Sequence, residues 1–441
     1  MIKLGNLYRE PPREYNGPVK KNGGKRRRKV RKMDLYGLID ADILEKATEL
    51  RHELHSMAEL SGREANTKRR LMTFLKENTS LELIDRGSWF YAAYRSKNAS
   101  DGKKRIAFRA DTDALPIDEG TALTYASKTR GVSHKCGHDG HMATLCAFAL
   151  TADRCGCEND LFFLFQPAEE TGEGAAECES LIADENIGEI FGYHNMPGFP
   201  LGSVAVHTGC AACASTGLVF RFIGKNSHAS QPENGCNPSF AIAKLISDIP
   251  SAVREAAGGS VREIAPGAVM SADGIVMCTV VGASSGSRTD GTGEAFGTSA
   301  GFGRLSLTIR AENEKRMELL EKLLGDEAEA LAAENSLAVS VERVEPFPET
   351  RNDAASAEKV RAAAAALGLP PAEWNEPFRS SEDFGRYTKL TAGALFYLGC
   401  GEEHAPLHTA CYDFPDALIA AGAAVFAKLG GVCRKRKKNV E

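Results

Sequence analysis

No stretch of this 441-residue chain approaches the roughly 18 consecutive apolar residues of a membrane helix. Its start, MIKLGNLYREPPREYNGPVKKNGGKRRRKVRK, lacks the apolar core of an export signal. A cytoplasmic protein that does not engage a membrane is therefore expected. There is no GxGxxG fingerprint and no phosphate loop, so nothing announces a dinucleotide or a nucleoside triphosphate. No internal repeat is visible. Cysteine is not scarce, with twelve residues, but at this length and without an export signal reduced thiols are expected over disulfides.

The net charge of −5 hides an asymmetry. Residues 1–32 carry twelve Lys/Arg against two Glu, so the remainder of the chain is strongly acidic. Such a basic block with Gly, Pro and Asn reads as a solvated, disordered tail or a mis-assigned start, with Met33 as the true one. Working through residues 19–32, it would otherwise contact nucleic acid, a partner that is not expected. The end, residues 431–441, is a second basic tail.

From residue 33 onward the sequence reads as folded, and its length suggests two domains. Leu44, Ala47, Leu50, Leu54 and Met57 recur at helical spacing, and Ser61-x-x-Glu64 reads as a capping box opening a second helix through about Lys76. Strands are expected at Trp89–Tyr94, Arg105–Arg109, Asp160–Gln166 and Glu189–Tyr193, with helices at about 140–153 and 175–184 between them. Alternating strands and helices predict an α/β domain, a parallel-type sheet with helices on both faces. The pattern changes near Gly209. From 217 to 344 the order is βαββαβ, with strands at 218–223, about 267–282, 303–310 and 337–344, and helices at 238–257 and 312–335. That order predicts an inserted ferredoxin-like α+β domain over 214–344. Its glycine- and serine-rich stretch 282–302 reads as a flexible connection. The α/β domain, 33–213, resumes over 345–430 with a helix at 355–367, a strand at 394–399 and a helix at 415–429.

The chemistry concentrates at strand ends. Cys136-Gly137-His138-Asp139-Gly140-His141 packs a thiol, two imidazoles and a carboxylate into little more than one turn, which suits a metal site or a nucleophile with its base. Strand 105–109 runs into Asp111 and Asp113, strand 160–166 into Glu169 and Glu170, strand 189–193 into His194, and strand 394–399 towards His404 and His408. In an open parallel sheet ligands bind outside the carboxyl ends of the strands, so these clusters converge on one edge. The donor set suits zinc, manganese, cobalt or nickel, and it exceeds what one tetrahedral ion uses, so two divalent ions are expected. Such a pair about 3.5–4 Å apart can clamp a water and polarise a carbonyl. One short loop aims only two side chains at one point, so Cys136 and His138 are the candidate ligands there, with Asp139 and His141 supporting them. Asp111 and Asp113 either support the site or cap a turn before Pro116. Cys155-x-Cys157 and Cys210-x-x-Cys213 have no matching second pair and are read as incidental.

The segments RHELHSMAEL (51–60), FRADTDALPI (108–117), HKCGHDGHMA (134–143), FQPAEETGEGA (165–175), GYHNMPGFPLGSV (192–204), GKNSHASQPENGCNPS (224–239), SEDFGRY (381–387) and PLHTACYDFPD (406–416) together resemble the aminoacylase/carboxypeptidase family of dimetal amidohydrolases. The closer resemblance is to its hippurate hydrolase and indoleacetyl-amino-acid hydrolase branch. The resemblance covers about residues 40–430 in family order. It implies a zinc-exopeptidase-like catalytic domain in which Cys136, His138, Glu170, His194 and His408 are metal ligands and Cys136 is the bridge. It implies Glu169 as the general base and His228, from the inserted lid or dimerisation domain, as a transition-state stabiliser that often reaches across a dimer. A homodimer is expected on that ground. Two segments depart from the family pattern, Asn226-Ser227 in place of a double glycine and GEAFGTSAGFGRLSL in place of an Asn-Pro-rich stretch, so they leave the acyl specificity open. The expected reaction is hydrolysis of an N-acyl amino acid or small peptide. A peptidase acting on free peptides is the first rival, and a non-catalytic binding homologue the second.

Overall fold

The computed structural model describes residues 37–97, 103–374 and 378–432. The basic start, the Met33 alternative and the tail from residue 433 lie outside them.

The larger sheet has seven strands in the order Glu82–Asp85, Phe90–Tyr94, Asp160–Gln166, Arg105–Asp111, Glu189–Pro197, Ala392–Gly401 and Val204–Ala205. Its four central strands, from Asp160–Gln166 to Ala392–Gly401, run parallel. The outer pairings are antiparallel, so the sheet is mixed, with antiparallel edges on a parallel centre. The short connection between Asp85 and Phe90 explains one edge, because it can only return the chain antiparallel, whereas a parallel return needs a crossover. Every residue of Asp160–Gln166 is buried, as in a strand covered on both faces. On one face Phe108 packs edge-on against Phe148 of helix His138–Cys155 and Phe426 of helix Ala417–Gly430, at 4.7 and 5.1 Å between ring centres. On the other, Phe162 and Leu164 join Tyr91, Cys178, Leu181, Phe384 and Tyr387 in a separate cluster.

Residues 214–347 form a second, six-stranded antiparallel sheet in the order Ala338–Phe347, Ala214–Ile223, Phe302–Ala311, Gly274–Gly286, Ala268–Ser271, Arg262–Ala265. Helices Ser239–Ala257 and Glu314–Glu334 bury their apolar faces against it in a cluster of their own. The first four strands have the ferredoxin-like 4-1-3-2 order. The stretch expected as one strand at 267–282 is broken by a turn at Gly274 (φ 100°), and an extra strand precedes it. The stretch 282–302 is less open than its glycines suggest, because strand pairing runs on to Gly286 and resumes at Phe302.

Three local expectations are corrected. In the first helix, Ala41–Ser56, Ile43 takes the fully buried place expected for Leu44, and the helix ends before Met57. The capping box does not form. Helix Ala65–Asn78 is instead capped by Glu59, whose Oε2 accepts from the Asn66 and Thr67 amides at 3.0 and 2.8 Å. Ser61 and Glu64 are drawn away to deeper partners. The helix expected over 175–184 is two short ones, Gly174–Cys178 and Ser180–Asp184.

Candidate active site

At the carboxyl edge of the central strands, five side chains from four segments meet. Cys136 Sγ lies 3.3 Å from His194 Nε2 and 3.3 Å from His408 Nε2. Glu170 Oε1 is 3.5 Å from His408 Nε2 and 3.8 Å from His138 Nε2. The donors fall into two triads that share the thiol: Cys136, His138 and His194, and Cys136, Glu170 and His408. His138 Nδ1 faces the Asp113 carbonyl at 3.0 Å and Asp113 Oδ1 at 3.1 Å, and His194 Nδ1 faces the Asn195 carbonyl at 2.7 Å. Each of these two rings therefore turns its Nε2 into the cluster, the orientation metal-binding imidazoles take when the other nitrogen is held. His138 Nε2 and Glu170 Oε1 are buried without a hydrogen-bond partner. Buried polar atoms are ordinarily satisfied, so these two fit a cation between them. Burial and the carboxylates of Glu170, Glu169 and Asp111 push the Cys136 thiol well up. A divalent ion supplies the charge that would oppose this.

The residues around the cluster are as specifically placed. Asp111 Oδ1 lies 2.6 Å from His141 Nδ1, and the other nitrogen of that ring faces Asn195 Oδ1 at 2.5 Å. Both His141 nitrogens are thus engaged outside the cluster. Asp139 turns away from the cluster, accepting from Arg51 Nε at 3.0 Å and facing His55 Nδ1 at 2.8 Å. It fastens the loop to the first helix. Asp113 also accepts from the Glu170 amide at 2.9 Å, so it is not a simple turn cap. Gly137 has φ 95°, and a Cβ there would stand 2.4 Å from Asn195 Oδ1 and 2.9 Å from the Tyr412 hydroxyl. Gly137→Ala is expected to cost about 2 kcal/mol in urea unfolding, from the positive φ and this collision together.

Glu169 stands beside the cluster, 3.9 Å from His138 Nε2 and only 5% exposed. Burial, then the charges of Glu382, Glu170 and Asp383, raise its carboxyl well above the usual range. Beneath it Arg109, almost wholly buried, donates to Asp111 (2.7 Å), Glu382 (2.9 Å), Asp383 (2.8 Å) and Gln166 (2.9 Å). Sequence reasoning passed over Arg109. A charged residue between Phe108 and Ala110 on a strand expected to be buried was the available signal.

The cluster opens into a cleft of about 570 Å³ between the two sheets. One wall is the outward face of Phe302–Ala311, where Arg304, Ser306, Thr308 and Arg310 alternate with the buried Leu305, Leu307 and Ile309. Arg310 donates to the Arg379 carbonyl at 3.0 Å and to Ser381 Oγ at 2.6 Å, and no carboxylate pairs with it among the described residues. Sequence reasoning missed it as well, although its alternation with apolar residues was readable.

Two sequence candidates are not brought to the cluster. His404 Nδ1 faces the Ala405 carbonyl and its ring packs beside Tyr412. His228 is exposed, its Nδ1 2.7 Å from Ser230 Oγ, and it does not line the cleft.

The model of peptidase family M20/M25/M40 matches residues 107–430. The chain belongs to this family. It is accordingly a hydrolase of C–N amide bonds. A hippurate hydrolase of Campylobacter jejuni subsp. jejuni is 29% identical over 395 residues, covering 88% of this chain and 96% of the relative. An N-acetylcysteine deacetylase of Bacillus subtilis is 27% identical over 383 residues, covering 86% and 94%. Among solved structures, a Bacillus subtilis protein described as a dinuclear metal binding peptidase of the M20 family superposes with a TM-score of 0.71 at 23% identity, over 89% of this chain and 99% of that one. That likeness extends to the two-sheet architecture. No helix among the described residues is long and apolar enough to cross a membrane.

Proposed function

We propose that this family member hydrolyses the amide bond of N-acyl amino acids, releasing a carboxylic acid and an amino acid, with Glu169 as the general base. The observation that carries the reading is the single thiol shared by two donor triads, with an arginine across the cleft that no carboxylate pairs among the described residues. Cys136, His138, Glu170, His194 and His408 would hold two divalent ions, drawn from zinc, manganese, cobalt and nickel. When bound, the ions would polarise the scissile carbonyl and ease deprotonation of water. Glu169 takes the proton of the attacking water and delivers it to the leaving amine. Its buried, carboxylate-crowded setting makes it a ready proton acceptor and donor in turn. The named activities of the two relatives, on hippurate and on N-acetylcysteine, agree with an acyl amino acid as substrate.

Arg310 would receive the carboxylate of the amino acid portion. A charge-assisted hydrogen bond in this half-buried position contributes about 2 kcal/mol. Arg310→Met is therefore expected to raise KM about 30-fold with little change in kcat. Wild-type protein should be penalised similarly on the corresponding amino acid amide. Steady-state kinetics on matched acid and amide substrates check both.

His228 would complete the site of a second copy. It sits outside its own cleft, and the neighbouring Phe296 is fully exposed. The outer side of strand Gly274–Gly286 is unpaired beyond Cys278 among the described residues, leaving Val280 and Val281 on an open edge. A homodimer built on this sheet covers those residues. The decisive assay is a screen of metal-loaded protein on N-acetyl- and N-benzoyl-amino acids beside dipeptides. Cleavage of dipeptides alone would move the assignment to a peptidase, and no cleavage of either would end it.

A further inference from the structure

The turn before helix Ala65–Asn78 reaches under the loop that carries Glu169 and Glu170, and it touches that loop at two separate points. Ala168 has φ 51°, the left-handed region that residues with a Cβ keep only when something holds them there. What holds it is a carboxylate from far away in sequence. Glu64 Oε1 accepts the Ala168 amide at 2.8 Å, and the same oxygen accepts the Gly62 amide at 3.0 Å, which closes its own turn. The second point is relayed. Ser61 Oγ donates to Asp113 Oδ2 at 2.7 Å, and that oxygen also accepts the Glu170 amide at 2.9 Å. The loop has little room to settle elsewhere, since a Cβ on Gly174 would stand 1.6 Å from the Pro167 carbonyl oxygen.

Glu64 is 5% exposed, and no ion pair of it is found among the described residues. Burial, with the Asp113 charge adding to it and the Ala168 amide opposing it, brings the carboxyl to about 7. An acid buried without a cation, and absent from the cleft wall, has one evident use here, which is to accept that amide.

We propose that Glu64 is a positioning residue for the reaction: by holding Ala168 in its left-handed conformation it sets where the Glu169 carboxylate reaches, while Asp113 sets Glu170 independently. The proposal rests on Glu169 being the base. It separates two functions that adjoin in sequence. Loss of the Glu64 bond should let residue 168 relax and swing Glu169, with Glu170 still tied to Asp113.

The test compares Glu64→Ala and Glu64→Gln for kcat, KM, thermal unfolding and Zn²⁺ affinity measured by chelator competition. Displacement of a reacting group by about 1 Å can cost on the order of a hundredfold, so Glu64→Ala is expected to lower kcat by about 30-fold or more. KM and Zn²⁺ affinity should stay within about threefold, because neither the cleft wall nor Glu170 is touched. Glu64→Gln should recover kcat to within about threefold, since its amide oxygen accepts the same N–H. Adding Ala168→Gly to Glu64→Ala should lower kcat no further, because glycine needs no such restraint but supplies none. Should the alanine protein unfold below assay temperature, Glu64→Asp carries the same expectation, its oxygen drawn back by one methylene. The proposal is overturned if kcat of Glu64→Ala stays within about threefold of wild type, if Zn²⁺ affinity falls in step with kcat, or if the glutamine protein is as damaged as the alanine one. Glu169→Gln, assayed alongside, keeps the two ideas apart. Retained turnover there removes the base assignment and this proposal with it, whereas lost turnover beside an unimpaired Glu64→Ala removes this proposal alone.

Discussion

Glu169→Gln is expected to lower kcat by about 10³–10⁴-fold while the protein keeps its full complement of metal. General-base catalysis contributes about 10²–10⁴-fold, and here one carboxyl is asked both to accept the proton of the water and to return it to the amine. Glutamine matches the size and the hydrogen-bonding shape but cannot take up a proton at neutral pH. The rest of the site should not notice. Glu169 is 5% exposed and crowded by Glu382, Asp383 and Glu170, so a neutral side chain relieves repulsion and the folded state should be at least as stable. The five proposed ligands keep their places, since their contacts run to Asp113, Asn195 and one another. Elemental analysis with single-turnover kinetics separates the outcomes. Turnover within tenfold of wild type would remove Glu169 from the mechanism. Metal loss in parallel with activity would make it a ligand.

The largest expected effect on stability comes from a residue that touches neither proposed ligands nor substrate. Arg109→Met should destabilise the protein by about 3–5 kcal/mol, the usual result of removing one partner from a buried ionic network. The guanidinium answers Asp111, Glu382 and Asp383 together, all of them buried, and among the described residues no other cation pairs with Glu382 or Asp383. Asp383 already sits near 7, driven up by burial and by Glu382, with Arg109 the main influence holding it down. Without the arginine these acids would have to take up protons or let water in. Arg109→Lys should recover little, because an ammonium cannot present a planar fork to three carboxylates at once. Chemical unfolding of the two variants checks this, and a loss under about 1 kcal/mol for the methionine variant would mean that the acids do not depend on the cation. Asp111 lies in the same network and faces His141, so the methionine variant should also bind metal more weakly.

Arg109 and Glu64 show where sequence reading stops. The strand that bears Arg109 was placed to within two residues, because a run such as Arg-Ile-Ala-Phe-Arg-Ala between turn signals reads as a buried strand from its own composition. Its partner Asp383 is 274 residues away, and no local pattern carries that pairing. Glu64 was misread for a related reason. Ser-x-x-Glu before an apolar run does open helices, but here tertiary partners outbid the local cap, and Glu59 does the capping from seven and eight residues upstream. The inserted sheet, by contrast, was readable in outline, since its helices and strands differ in period and each change of period falls near an element boundary. What outline could not show was the break at Gly274 and the added edge strands, which depend on turn conformation rather than on hydrophobic pattern.

By itself the sequence determined the donor chemistry and its placement at the carboxyl ends of strands, because residue type and short-range periodicity are written within a few positions. It also carried the family signatures in order from residue 40 to 430. Only the tertiary structure decided which donors meet. It set Cys136 at the same 3.3 Å from His194 and His408, turned Asp139 and both nitrogens of His141 away to other partners, and left His228 outside the cleft of its own chain. Distances between segments tens to hundreds of residues apart are fixed by how two close-packed cores seat their strands and helices. That packing is a property of the whole chain and cannot be read from any motif within it.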